Sequence, residues 1–224
     1  MTADQLAKIS ALAAPMLQAV SISVTAIFAI VGLNAWRRQL VGKRRIEIAE
    51  QTLLAAYKMR DAFTYFRSVG AFTGEGRSRP DRDDEPEAIR SQGDAYFVPI
   101  ERIKATSDAF AEFSKAALMC EVYFGTATAK PFHDVLRMRN RVVISARMLL
   151  TMTQQKRNDA KNRDRWEADI WEGSHPEIRD EIAETVSVAI QTIEAMCRPL
   201  LAGKRSNWWF RPRRSPIDAP KGVG

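Results

Sequence analysis

Apolar residues follow two rhythms along this chain. From Ile9 to Trp36 they run together, and 28 successive residues carry no charged side chain. About 20 apolar residues cross a bilayer core as a helix. Leu17 to Trp36 supplies that length. The pattern predicts a transmembrane helix at 17–36 behind a short external N-terminus at 1–16. A cleaved leader would place its basic residues before the apolar run. Here they follow it, at Arg37, Arg38, Lys43, Arg44 and Arg45.

Beyond the run, the rhythm becomes helical. Ile46, Ala49, Leu53, Ala56, Met59, Phe63 and Phe66 step by three and four residues, a stripe that predicts one core-facing helix face. No proline falls between Pro15 and Pro80. The spanning helix is therefore predicted to continue into the following domain. A second helix is predicted over 99–124, with Ile103, Thr106, Phe110, Phe113, Ala117 and Cys120 inward. A third covers 131–155, with Val135, Met138, Val142, Ala146, Leu149 and Met152 inward. A short polar helix covers 158–171. The last helix carries Ile178, Ile182, Val186, Ala189, Ile193 and Met196. Ser174-His175-Pro176-Glu177 ahead of it has the spacing of a capping box, and Pro199 should kink or end it.

Between Gly70 and Asp94 the periodicity lapses. Four glycines, two prolines and the run Asp81-Arg82-Asp83-Asp84-Glu85 predict a long charged loop at 70–94, a composition that buries little. No stretch alternates like a strand. The fold class expected is all-α: one N-terminal transmembrane helix continuing into a cytoplasmic antiparallel four-helix bundle over 37–203. A basic aromatic tail, partly disordered, follows at 204–224.

Charge adds orientation. The net charge is +7. Residues 37–70 hold eight basic and three acidic side chains, residues 198–224 hold seven and one, and 71–197 is net acidic. Lysine and arginine beside a span stay on the cytoplasmic side. This places the N-terminus outside a cell inner membrane, the chain single-pass, and the C-terminal domain in the cytoplasm. Basic segments beside a span favour an anionic lipid leaflet, so membrane lipids are expected partners and nucleic acid is not. The expected membrane-interface residues are Trp36, Arg37, Arg38, Lys43, Arg44 and Arg45, with Trp208, Trp209 and Arg211 in the tail. Within the span, Ser21, Thr25, Ala29 and Gly32 form a stripe of small residues, the kind that lets two helices approach. A homo-oligomer through that stripe and an unknown protein partner are both expected possibilities.

Trp36-Arg37-Arg38-Gln39-Leu40, Gly42-Lys43, Glu47, Ala49, Tyr57-Lys58 and Arg60-Asp61-Ala62 together resemble the juxtamembrane start of a set of uncharacterised bacterial single-span proteins. The resemblance covers residues 30–70. It implies a bacterial inner-membrane protein with a helical cytoplasmic domain, and it carries no activity, cofactor or catalytic residue.

The residues themselves name no reaction. His133 and His175 lack the Glu-x-x-His pairing of helical metal sites, so no metal, cofactor or catalytic residue is expected. Gly70 to Gly76 follows a helix and lacks the lysine–hydroxyl pair of a phosphate loop. The acidic run 81–87 lacks alternating calcium-loop spacing. Cys120 and Cys197 are expected to be thiols packed on helix faces. The reading is a membrane-tethered helical scaffold or interaction module and not an enzyme. An accessory subunit of a transport, secretion or defence complex is the alternative, and a membrane-bound enzyme comes third.

Overall fold

The computed structural model describes residues 3–80, 82–155 and 159–202, with side chains from Ser21 onward except Ala88, and that of Gln18. Its regular structure is helical: α1 (Ala3–Arg67), α2 (Glu87–Ala105), α3 (Ser107–Phe124), α4 (Lys130–Gln154), α5 (Ala160–Ile170) and α6 (Glu181–Leu201). Short 3-10 turns lie at Arg82–Asp84 and Thr126–Thr128. The all-α expectation holds. The chain divides into two compact units, Met1–Ile46 and Glu47–Gly224.

In the first unit, every described side chain from Ser21 to Trp36 is exposed. Among the described residues, no helix is long and apolar enough to cross a membrane. The predicted span is corrected to this extent. Ser21 to Trp36 rises about 24 Å as a helix, short of the roughly 30 Å hydrocarbon layer. The side chains of Leu17, Ala19 and Val20, which begin the predicted span, lie outside the description.

The second unit is built on the predicted stripes. Ala49, Ala56, Met59, Phe63 and Phe66 of α1 are buried with Phe110, Phe113, Ala117 and Cys120 of α3. The predicted inward residues of α4 are all buried, as are Ile182, Val186, Ala189, Ile193 and Met196 of α6. Leu53, Thr106 and Ile178 are half-buried, and Ile46 stays exposed. Each large apolar side chain taken fully out of water contributes about 1.5–3 kcal/mol.

Neighbouring long helices alternate in direction. Thr52 meets Cys120, and Lys58 meets Glu112, so α1 and α3 run oppositely. The Phe113 and Phe132 rings pack tilted with centroids 5.0 Å apart, and the Arg139 guanidinium lies over the Phe110 ring, so α4 turns back along α3. Tyr57 accepts from Arg198, and Arg67 pairs with Asp180, which sets α6 against α1 in the opposite sense.

Three local expectations are corrected. The second helix starts at Glu87 and breaks at Thr106, so it is two helices. Thr106 Oγ1 donates to the carbonyls of Arg102 and Ile103, an alternative to continuing the helix. Pro99 lies inside α2. The capping box does not form. Ser174 donates to the carbonyls of Glu167 and Trp171 instead. Asp180 caps α6 by accepting from the Ala183 amide.

The charged loop is the third correction, because it is tied down by buried arginines. Arg102, 2% exposed, donates to both carboxylate oxygens of Glu75 and to the carbonyls of Tyr65, Ser68 and Gly70. Arg79 lies between Glu85 and Asp94, and Arg82 donates to Asp94 at 2.9 Å. Paired guanidinium and carboxylate groups offset most of the cost of burial, with Arg79 Nε left without a hydrogen-bond partner among the described residues, so polar composition did not preclude burial. Gly93 sits inside α2 because a Cβ there would lie 2.7 Å from the Arg79 guanidinium.

Candidate functional site

The expected membrane-interface residues within the described chain are all on α1. Trp36, Arg37, Arg38, Lys43, Arg44 and Arg45 are exposed. Trp208, Trp209 and Arg211 lie outside the described residues. Ser21, Thr25, Ala29 and Gly32 are exposed on α1. At about 100° per residue they fall within one arc of roughly 80°. The Thr25 hydroxyl donates to the Ser21 carbonyl at 2.8 Å, so its polarity is met within the helix. A Cβ at Gly32 would meet nothing within 4 Å.

The second unit holds a polar centre that sequence reasoning missed. Arg67, the last residue of α1, is 2% exposed. It donates to the Ala168 and Asp169 carbonyls at the end of α5 and to the Asp180 carboxylate. Asp169 is buried and accepts from Arg141 at 2.7 and 3.0 Å and from Ser145 at 2.7 Å. Arg141 also reaches Glu181 at 2.6 Å. The stripes had predicted an almost wholly apolar interior. These groups enter it as closed pairs, which lowers the cost of burying charge.

On the other side of α5 lies a more open cluster. Asp164 and Glu167 are three residues apart and share a helix face. The turn after α5 brings His175 beside them. His175 Nε2 lies 3.3 Å from Glu167 Oε2, and Nδ1 lies 3.2 Å from Glu177 Oε1. Ligand atoms of Asp164, Glu167 and His175 all lie within 4.8 Å of one another, each residue being half-buried. Tyr96 of α2 donates to Glu167 Oε1 at 2.5 Å, and Gln92 donates to the Tyr96 hydroxyl. Burial, then the Glu167 carboxylate, pushes the Tyr96 hydroxyl up to about 12. It is a neutral donor at ordinary pH. Burial opposes charge on His175, but Glu167 and Glu177 outweigh it and raise its pKa.

His175 was expected in a capping turn; it sits instead between two carboxylates. The signal available beforehand was Asp164-x-x-Glu167 with a histidine eight residues on. His133 is exposed near the start of α4. Asp164 and Glu177 open onto a cleft of about 510 Å³, shared with Arg141, Lys161, Arg165 and Arg179. The arrangement can hold a proton between carboxylates or offer oxygen and nitrogen donors to a cation. No family model, curated protein or solved structure matches this chain.

Proposed function

We propose that this chain is a membrane-tethered helical scaffold or interaction module of a bacterial inner membrane. In this reading the N-terminal segment spans once, with its start outside. The second unit, a cytoplasmic helical bundle, presents a surface to another protein. One observation carries the proposal. Ile22, Val24, Ile27, Phe28, Ile30, Val31 and Leu33 cover about 240° of the α1 surface and are all exposed, Phe28 at 73%, while the remaining arc holds the small uncharged residues of the stripe. A helix with no charged side and most of its surface apolar needs an apolar surrounding. Lipid supplies it, and the basic residues from Arg37 to Arg45 then meet anionic headgroups at about 1 kcal/mol each near the surface.

The pairing of Arg67, Arg102 and Asp169 supports a holding role, since each ties together groups from separate elements of the fold. The test is membrane fractionation with alkaline washing, comparing the full chain with one lacking residues 1–36. Retention of the full chain and release of the truncated one is expected. Release of both removes the tether.

The stripe Ser21, Thr25, Ala29 and Gly32 favours a second reading, an accessory subunit assembled within the membrane. Small residues at an interface allow close packing. Thr25→Leu with Ala29→Leu should then abolish in-cell cross-linking to the partner or to a second copy. Unchanged cross-linking would exclude contact through this face.

A further inference from the structure

We propose that Asp164, Glu167 and His175 form a binding site for one divalent transition-metal ion, with Glu177 and Tyr96 positioning two of the ligands. The site is independent of the membrane proposal and would stand without it.

The donor set comes first. Two carboxylates and one imidazole suit a borderline cation such as Zn²⁺, whereas magnesium and calcium favour all-oxygen sites. Three protein donors leave a coordination position for water. The donors already converge, with ligand atoms within 4.8 Å. Around a Zn²⁺ ion they would lie about 2.0–2.2 Å from the metal. Tetrahedral donors at that distance lie about 3.4 Å apart, so the widest pair closes by up to roughly 1.4 Å through side-chain rotation.

The surrounding groups supply a second, separate observation. A metal-binding histidine usually gives its other ring N–H to a carboxylate, which fixes its tautomer. Glu177 lies at Nδ1 of His175, on the far side of the ring from Glu167. That carboxylate accepts only, so with an ion bound Nδ1 would keep its hydrogen while Nε2 gives up its own and offers a lone pair beside Glu167 Oε2. Tyr96 holds the other oxygen of Glu167, which leaves Oε2 for the ion. Asp164 has no hydrogen-bond or ion-pair partner among the described residues. Its carboxylate lies beside the cluster with its acceptor capacity unspent. Asp164 and Glu177 also line the open cleft, which gives an ion a route in.

The probe is Zn²⁺ alone, titrated calorimetrically into the metal-free full-length chain in detergent. Co²⁺ provides a second readout through its visible ligand-field absorption. One ion per chain is expected. Asp164→Asn is the decisive variant, since it removes a ligand charge without breaking a hydrogen bond of the described structure. It and His175→Ala should weaken binding on the order of 100-fold or more, and Glu177→Gln by roughly 10- to 100-fold, the range for a group that orients a ligand. His133→Ala should bind like the parent. Absence of binding by the parent chain overturns the proposal: the histidine would then serve only as a bridge between carboxylates. Parent-like binding by both Asp164→Asn and His175→Ala would overturn it equally, because the ion would sit elsewhere.

Discussion

Single residues in the second unit act through very short distances. A methyl group at Gly93 would press on Arg79, which is held by Glu85 and Asp94 and has little room to retreat. Gly93→Ala should therefore destabilise the chain by about 1–3 kcal/mol, the usual cost of overpacking. Gly42 is the control. It lies within α1 with nothing within 4 Å of an added Cβ. Gly42→Ala should leave the second unit unaffected and raise helix stability by up to about 1 kcal/mol. Thermal unfolding followed by circular dichroism reads both. Glu85 adds a pH signature. The Arg79 guanidinium, then the Gln154 amide, outweighs burial and holds its carboxyl down at about 2. The folded value lies below the unfolded one, so this stabilisation is complete above roughly pH 4.5 and fades as pH falls toward 2. Glu85→Gln should flatten the stability profile across that window; a parent-like slope would show that Glu85 is not its source.

At the scale of elements, the apolar stripes were legible in the sequence because a helix face is written within a few turns. Val142, Ala146 and Leu149 lie on α4 where the three-four spacing puts them, and all three are buried. The polar contacts were not legible, because their partners are remote. Arg67 stands 102 residues from the Asp169 carbonyl it holds. No local pattern distinguishes it from Arg60, which is exposed and pairs with its neighbour Asp61. The same distance problem hid His175 and Glu167 from Tyr96. The start of α2 was missed because Gly93 resembles a loop marker until Arg79 is seen beside it. Arg67→Met tests the element-scale role. It would strand two carbonyls at the end of α5 and the Asp180 carboxylate that caps α6. A loss of about 3–5 kcal/mol is expected, as for breaking a buried pair by removing one partner. Urea unfolding of the full chain measures it, and a loss near zero would mean that α5 and α6 are held by apolar packing alone.

For the molecule as a whole, the two thiols report on cooperative unfolding. Cys120 and Cys197 are both buried in the core and unbonded to each other. Burial, with some help from Cys120, pushes the Cys197 thiol up to about 12, so almost no thiolate exists at neutral pH. Alkylation of the native chain should be slow at both sites and should accelerate together at the unfolding midpoint. Rapid labelling of one thiol alone would reveal a helix that opens by itself.

The bond from Arg67 to Asp180 spans 113 residues, and that length sets a timetable during synthesis. A ribosome adding about 5–20 residues per second needs roughly 6–23 seconds to pass from one partner to the other. Through that interval the apolar face of α1, from Ala49 to Phe66, has emerged while the helix that seals its far side has yet to be made. A nascent chain stalled before residue 180 should therefore display that face to chaperones, and release from them should coincide with the arrival of α6.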